Sequence, residues 1–162
     1  VSLKYGQEGY NLVVQGSSLE KLQELKNQFE KTKKPQQTIE LLPISFGKEK
    51  ISKKDMDQLK KYLEQSEILV ICFGPFLQKE IHNTTEEEWE SLVYWNYTFP
   101  GELISFALNF MMKNQFGRIV VFGGTRTHSV NGFRTNAVYA GANLPTISGP
   151  FADSIWLMFL AR

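Results

Sequence analysis

The stretch "EILVICFG" (Glu67 to Gly74) decides the fold class of this chain. Its apolar side chains follow one another without the alternation of a half-exposed strand, so it predicts a strand covered on both faces. "GRIVVFGG" (Gly117 to Gly124) repeats the pattern further along the chain. Amphipathic segments separate these apolar runs. That arrangement is typical of βαβ units around a parallel sheet.

The N-terminal part of the chain predicts two more strands and two helices. The strand candidates are "YNLVVQ" (Tyr10 to Gln15) and "TIELLPI" (Thr38 to Ile44). Ser17 and Glu20 form a capping-box pattern, and apolar residues after them recur at helical spacing through "LEKLQELKNQFEK"; a second helix is predicted from about Ser52. The predicted fold is therefore α/β, a Rossmann-like doubly wound parallel sheet whose ligands bind beyond the carboxyl ends of its strands.

Composition excludes several classes of protein. The 162 residues are 42% apolar, which indicates one globular domain over residues 1–162. Eighteen basic and seventeen acidic side chains nearly cancel, and this argues against nucleic acid as a partner. No apolar run approaches the length of a membrane span, and the two histidines have no neighbouring metal ligands. Cys72, the only cysteine, is predicted to be buried in its strand, and a lone cysteine suits the cytoplasm.

Glycine ends two of the predicted strands, in "ICFGP" and "VVFGGT". Because glycine has no Cβ, a flat ligand can lie against the main chain at such a position. Either glycine alone is more simply explained by an ordinary tight turn. Two of them on neighbouring strand ends favour a ligand crevice.

The predicted long helix, "TTEEEWESLVYWNYTFPGELISFALNFMMKNQ", contains a proline. Pro100 lies four residues after Asn96 and lacks the N–H that would bond to the Asn96 carbonyl. The helix is predicted to kink there and to leave that carbonyl free for water or a side chain. Asn96 is then either part of a proton relay beside the crevice or a solvent-facing residue at a tolerated kink.

The order of four segments, "ILVICFG", "EEEWESLVYWN", "GRIVVFGGT" and "NAVYAGA", resembles that of the short-chain dehydrogenase/reductase family. Members carry an Asn-Ala-Gly turn after the fourth strand and an asparagine seven residues after a tryptophan. A serine ends their fifth strand, and Tyr-x-x-x-Lys begins the following helix. The resemblance implies binding of NAD(H) or NADP(H) and hydride transfer to or from a small-molecule carbonyl or alcohol.

The resemblance also implies roles for individual residues. Tyr139 would be the general acid/base, Asn96 the relay residue, and Thr125 the nearest hydroxyl to the position of the family's serine. Residues implied in cofactor binding lie at three strand ends: Cys72, Phe73 and Gly74 after the fourth strand, Gly123 after the fifth, and Pro145, Thr146 and Ile147 after the sixth. Neither an acid nor an arginine follows "YNLVVQ", so the preference between NAD and NADP cannot be read.

Several positions depart from the family pattern. Asn143 stands where the lysine is expected, and only "AGAN" separates Tyr139 from "NLPTISG", too short for a crossover helix. One explanation is that segments are omitted near Ala142 and near Phe151, with a first strand and Gly-rich loop preceding Val1. The alternative takes the sequence literally, as a catalytically degenerate relative that serves as a binding or structural subunit.

Family members usually pair through the long kinked helix and the tyrosine helix, which implies a homodimer or homotetramer. The helix face formed by Trp89, Val93, Phe99 and Phe106 would suit such an interface. Core packing explains the same apolar face equally well.

Overall fold

The computed structural model describes residues 1–47 and 49–122. Helices and strands alternate through this part of the chain, as the sequence predicts. In chain order they are α1 (Ser2–Glu8), β1 (Leu12–Gln15), α2 (Leu19–Thr32), β2 (Ile39–Leu42), α3 (Lys53–Leu63), β3 (Ile68–Ile71), a 3-10 turn (Ile81–Asn83), α4 (Glu86–Val93), a π turn (Tyr94–Thr98), α5 (Phe99–Lys113) and β4 (Arg118–Val121).

The described strands form two parallel pairs. β1 pairs with β2 in the register Leu12 to Ile39, and β3 pairs with β4 in the register Ile68 to Arg118. Helix α2 connects the first pair, whereas α4, the π turn and α5 connect the second. Parallel pairing through helical crossovers confirms the predicted α/β class.

Two clusters of side chains form most of the described core. The smaller one holds Phe29 of α2, which is fully buried, together with residues of α1, β1 and β2. Val70 of β3 packs against this cluster as well. The larger cluster joins the end of β2 to α3, β3, α5 and β4, with Trp95 and Phe99 at 1% exposure each. β3 therefore contacts both clusters, although three of its four residues are only half-buried.

Side-chain caps fix the beginnings of three helices. Ser52 caps α3, and Thr85 and Glu88 form a reciprocal capping box at the start of α4. The capping box predicted at Ser17 and Glu20 is wrong by one residue, because the Ser18 hydroxyl accepts the bond from the Lys21 N–H instead. With lysine three residues after the cap, α2 has no carboxylate to complete a capping box.

The proline in the long helix has a different effect from the predicted kink. α4 and α5 are joined by a π turn in which the Phe99 N–H donates to the Tyr94 carbonyl, five residues earlier. Pro100 lies in the first turn of α5, where its missing N–H is tolerated. The wider ring therefore forms before the proline, so the irregularity centres on Asn96.

Candidate active site

The carboxyl ends of β3 and β4 lie side by side, because parallel strands end at the same edge of a sheet. The Phe122 N–H, just after β4, donates to the Ile71 carbonyl at 2.9 Å. The chain that leaves β3 at Cys72 therefore begins beside the end of β4. This edge is where an α/β fold of this kind binds its ligands.

Residues in the segment after β3 alternate in burial. Phe73, Pro75 and Leu77 are partly buried, whereas Cys72, Gly74, Phe76 and Gln78 are exposed. We call the exposed set, Cys72, Gly74, Phe76 and Gln78, the outer strip.

Asn96 lies at the centre of the π turn and is only 5% exposed. Its Nδ2 donates to the Leu92 carbonyl at 3.0 Å and to the Pro75 carbonyl at 3.2 Å. The first acceptor lies one turn back on α4, and the second lies on the segment after β3. The side chain thus joins the helix to the strand end, and the solvent-facing alternative for Asn96 is wrong.

Gly74 is the residue that lets Asn96 approach this strand end. A Cβ built on Gly74 would lie 2.7 Å from Asn96 Oδ1, closer than carbon and oxygen can pack. The sequence predicts that this glycine leaves space for a flat ligand. The structure shows that it also leaves space for the Asn96 side chain. Any larger residue at position 74 would displace the asparagine.

An aromatic cluster packs around Trp95 of the π turn. The rings of Phe46, Phe73, Trp95 and Phe99 make mostly edge-to-face contacts, with centroids 4.9 to 5.5 Å apart. Such geometry stabilises aromatic pairs beyond the effect of buried area alone. Because the Phe73 ring belongs to this cluster, the main chain of residue 73 stays at the edge of the sheet.

Cys72 is exposed, so the prediction that it is buried is wrong. The reason is its position: β3 ends at Ile71, and Cys72 is the first residue of the outer strip. Partial desolvation nevertheless raises the pKa of its thiol above the ordinary value. A raised pKa keeps the thiol protonated, which disfavours a nucleophilic role.

A partly exposed ion pair holds the same segment further along the chain. Lys79 Nζ lies 2.7 Å from Glu88 Oε2 and 2.9 Å from Oε1, and the Thr85 N–H donates to the same carboxylate. The bond from Lys79, followed by the one from Thr85, lowers the pKa of Glu88. Leu77, on the same segment, packs against Leu92, as Trp89 does.

Comparison with known families settles the relationship that the strand and helix order implies. The family model described as short chain dehydrogenase matches residues 1–143, most of the chain. The chain belongs to this family. The sequence resemblance and the Rossmann-like α/β fold are both confirmed.

Solved structures of other short-chain dehydrogenases share the fold. A bulky-bulky ketone specific alcohol dehydrogenase from Comamonas testosteroni is 18% identical with a TM-score of 0.73, covering 88% of this chain and 55% of that one. A short-chain dehydrogenase from Sphingobium yanoikuyae, solved with NADPH, is 16% identical with a TM-score of 0.72, covering 88% and 54%. Serine dehydrogenase from Escherichia coli is 18% identical with a TM-score of 0.65, covering 90% and 64%. The chain thus spans between half and two thirds of these relatives. Among proteins of curated function, no sequence matches it.

The structure brings four of the predicted site residues of this short-chain dehydrogenase together. Cys72, Phe73 and Gly74 follow β3, and Asn96 contacts the last of them. The other six predicted residues lie outside the described part of the chain: Gly123, Thr125, Tyr139, Pro145, Thr146 and Ile147.

Sequence reasoning missed two features of the site. The Pro75 and Leu92 carbonyls hold the Asn96 side chain, and a backbone acceptor leaves no signature in the residue type. The Lys79–Glu88 pair was also missed, although Thr85 and Glu88 carry the capping-box pattern that places the carboxylate. Within the apolar face predicted for an interface or for core packing, Phe99 lies in the core, whereas Val93 is 39% exposed.

Other kinds of site find no support in residues 1–47 and 49–122. No group of three or more His, Cys, Asp or Glu side chains there could hold a metal ion. None of the helices described is long and apolar enough to span a membrane.

Proposed function

We propose that this short-chain dehydrogenase is an NAD(P)-dependent oxidoreductase that moves a hydride between a nicotinamide cofactor and a carbonyl or alcohol substrate. The proposal rests on the carboxamide of Asn96, which two hydrogen bonds to backbone carbonyls hold in place. It sits in a π turn, a distortion often found at functional sites, and is held against a glycine at the carboxyl end of β3. A relative of the same fold was solved with NADPH, which supports the choice of cofactor.

The residues after β3 fit a dinucleotide. Phe73 turns its ring into the aromatic cluster, and neither the exposed Cys72 nor Gly74 carries a bulky side chain. Their main chain would pass the adenosine and ribose side of NAD or NADP, with Gly123, Pro145, Thr146 and Ile147 completing the binding site. When bound, the cofactor supplies or accepts the hydride.

The proton is assigned to this chain's own side chains. Tyr139 would donate it to the carbonyl oxygen or take it from the alcohol, since a phenol in a tuned environment is a suitable general acid. Thr125 would orient that oxygen. Asn96 would extend the proton path towards solvent. Both of its described amide bonds go to backbone carbonyls, and no described residue donates to Oδ1.

We also propose that residues 1–162 form a single dinucleotide-binding domain, because Val70 of the second strand pair packs into the cluster of the first. A homodimer or homotetramer is proposed through the α4–α5 face. Four large apolar side chains of α4, the π turn and α5 are 39% to 73% exposed, and an interface there would cover them: Val93, Tyr97, Leu108 and Met112. The single cysteine suits work in the cytoplasm.

The chain offers a matched control for testing Asn96. Gln37 is also 5% exposed, and its Nε2 also donates to two backbone carbonyls, those of Gly6 and Tyr10. Asn96→Ala and Gln37→Ala should each cost about 1–3 kcal/mol of unfolding free energy, because each leaves buried acceptors unpaired.

Only Asn96→Ala should lose turnover, by roughly 100-fold, as expected for a disrupted proton path. The measurement is NADPH oxidation with a panel of carbonyl compounds, beside urea unfolding of both variants. Equal losses of turnover per folded molecule in the two variants would refute the role of Asn96. Absence of any nicotinamide-dependent thermal shift or turnover in the unmodified protein would refute the proposed function.

A further inference from the structure

The loop between β2 and α3 has no place in the proposed chemistry, yet it packs against the π turn. The centroid of the Phe46 ring lies 5.5 Å from that of Trp95. Lys50 Nζ lies 5.6 Å from the centroid of the Tyr94 ring, within the range of a cation–π contact. This loop therefore contacts both of the residues that precede Asn96 in the π turn.

Contacts on both sides hold Phe46 in this position. Before it, the Gln15 side chain at the end of β1 donates a hydrogen bond to the Ile44 carbonyl, and Ile44 itself is buried. After it, Gly47 has a φ of 100°, a left-handed conformation that glycine adopts most readily. The turn brings the main chain close to the Phe73 ring, where a Cβ added to Gly47 would lie 3.3 Å from Cζ. These contacts fix the Phe46 ring against the π turn.

A π turn depends on its surroundings more than a regular helix does, because its wider hydrogen-bonded ring is rarely adopted without them. Trp95, directly before Asn96, is 1% exposed. Its ring packs against those of Phe46, Phe73 and Phe99. In a close-packed interior, a shift of one ring displaces its neighbours. A change at Phe46 would therefore reach the main chain of Asn96 through Trp95.

We propose that Phe46 is a positioning residue for Asn96 and acts through Trp95. This rests on the proposed function, in which Asn96 extends the proton path. Asn96 has little room to move, because its Nδ2 donates to two backbone carbonyls and its Oδ1 lies tightly against Gly74. A misplacement of about 1 Å can lower turnover roughly 100-fold, so even a smaller shift is measurable. Phe46 therefore affects the rate of the chemical step and not the binding of cofactor.

Simple core packing is the other explanation for Phe46, and the chain offers a matched control against it. Phe106 of α5 is likewise a partly buried ring on the larger core cluster. It lies outside the aromatic cluster, with Lys60 Nζ 5.1 Å from its ring centroid. Phe46→Leu and Phe106→Leu remove the same atoms from the same core, so they should lower the urea midpoint by similar amounts. Phe46→Tyr keeps the ring and serves as the conservative variant.

Turnover should separate these variants. We would measure NADPH oxidation by the full protein with cyclohexanone, acetophenone and diacetyl. Phe46→Leu should lower kcat roughly 10-fold and leave KM for NADPH within about twofold, whereas Phe46→Tyr should recover most of the loss. Phe106→Leu should keep kcat within about twofold of the unmodified protein. An equal loss of kcat in Phe106→Leu would overturn the proposal.

A double-mutant cycle tests whether Phe46 acts through Asn96. In an Asn96→Ala background, Phe46→Leu should change kcat by no more than about twofold, because the residue that it positions is gone. Losses that multiply, as they do for independent sites, would mean that Phe46 acts by another route and would overturn the proposal.

A readout that needs no catalysis tests the position of Asn96 directly. In NMR spectra of protein carrying isotopically labelled asparagine, the side-chain amide signals of Asn96 are identified by their absence from Asn96→Ala. They should move in Phe46→Leu, return in Phe46→Tyr and stay in place in Phe106→Leu. Unmoved signals in Phe46→Leu would show that Phe46 does not position Asn96. If the unmodified protein shows neither a cofactor-dependent thermal shift nor turnover, the proposed function fails, and these signals still decide the positioning role.

Discussion

The first half of the described chain runs from α1 to β2, and the second half runs from α3 to β4. The two halves contain similar buried contacts in different surroundings. Each half buries one carboxamide, Gln37 in the first and Asn96 in the second, and each bonds to two backbone carbonyls. Each half also has at least one glycine at which an added Cβ would meet a neighbouring side chain, Gly6 in the first half and Gly74 in the second. In the first half these devices join regular elements, whereas in the second they surround a π turn.

The difference shows where the fold departs from regular geometry. Gln37 ties the loop before β2 to α1 and its following turn, and the helices around it have ordinary hydrogen bonding. Asn96 lies inside the irregular turn that it helps to hold. Departures from local regularity concentrate at functional sites, because elsewhere they only cost stability. The second half therefore carries the candidate chemistry, and the first half serves as its internal control.

The largest effects are expected for the buried phenyl rings. Phe29 is the fully buried ring of the first half, and Phe99 is its counterpart in the second, with 1% exposure. Changing either to alanine should cost about 3–5 kcal/mol of unfolding free energy, measured by urea denaturation. Leucine is the milder change and is suited to kinetic assays.

The leucine variants should separate the two halves. Phe99→Leu should lower kcat/KM by roughly 10-fold, because the Phe99 ring packs on Trp95, the residue before Asn96 in the π turn. Phe29→Leu should leave kcat/KM within about threefold, since its ring touches no candidate site residue. A similar loss in both variants would mean that the halves are not functionally distinct.

The two glycines provide the second test. A Cβ on Gly6 would lie 2.7 Å from the buried ring of Phe29, and a Cβ on Gly74 would lie 2.7 Å from Asn96 Oδ1. Gly6→Ala and Gly74→Ala should each cost about 1–3 kcal/mol, because each overpacks its site. The measurement is the urea midpoint, followed by NADPH turnover at a temperature where both variants are folded.

Only Gly74→Ala should reduce turnover, by at least roughly 10-fold, because it pushes the asparagine away from its acceptors. Gly117→Ala is a useful third variant. Its Cβ would lie 2.6 to 2.7 Å from three atoms of the buried Met111 side chain, including the Met111 Cβ, which cannot rotate away, so it should be the most destabilising of the three. Full turnover by Gly74→Ala would show that the position of Asn96 does not matter for catalysis.

The sequence predicts the regular parts of this fold well. Four strand candidates are all strands, with ends up to three residues shorter, and the caps at Ser52 and Thr85 are residue types that favour this position. The cap of α2 was misplaced because Ser17 and Ser18 both offer a hydroxyl, and only the backbone angles decide between them.

The irregular parts could be predicted only in outline. Pro100 indicates a break in the long helix, but the position and type of the break depend on where Asn96 finds acceptors. Likewise, an apolar run indicates burial without showing where the strand ends, which decides the exposure of Cys72. The roles of Tyr139 and Thr125 stay predictions, since they lie outside the described residues.

A smaller effect is expected at two tyrosines. The Tyr5 hydroxyl in the first half is buried without a hydrogen-bond partner among the described residues, and burial raises its pKa. In the second half, burial raises the pKa of Tyr94 as well, although the Ile51 backbone beside its hydroxyl opposes that rise. Tyr5→Phe should therefore stabilise the protein by up to about 1 kcal/mol, whereas Tyr94→Phe should destabilise it by about the same amount.

Thermal and urea unfolding of Tyr5→Phe and Tyr94→Phe would measure the change in unfolding free energy in each variant and show whether the two changes have opposite signs. A loss of more than about 1 kcal/mol in Tyr5→Phe would contradict the expectation and reveal a partner for that hydroxyl. If both variants are destabilised, the two halves do not differ in this respect.

The smallest effect concerns pH and the caps of α2 and α4. The bond from Lys79 lowers the pKa of Glu88, so its folded pKa lies below the unfolded one. The stability it contributes is present above the unfolded pKa and is lost as the pH falls through the folded pKa. Glu88→Gln keeps a capping side chain but removes the charge, so it should flatten the fall of melting temperature between about pH 5 and pH 3.

Ser18→Ala, which removes an uncharged cap in the first half, should lower the melting temperature equally at every pH, because the Ser18 hydroxyl does not titrate there. Parallel pH profiles for Glu88→Gln and the unmodified protein would mean that the Lys79–Glu88 pair contributes nothing to folding, as many exposed ion pairs do not.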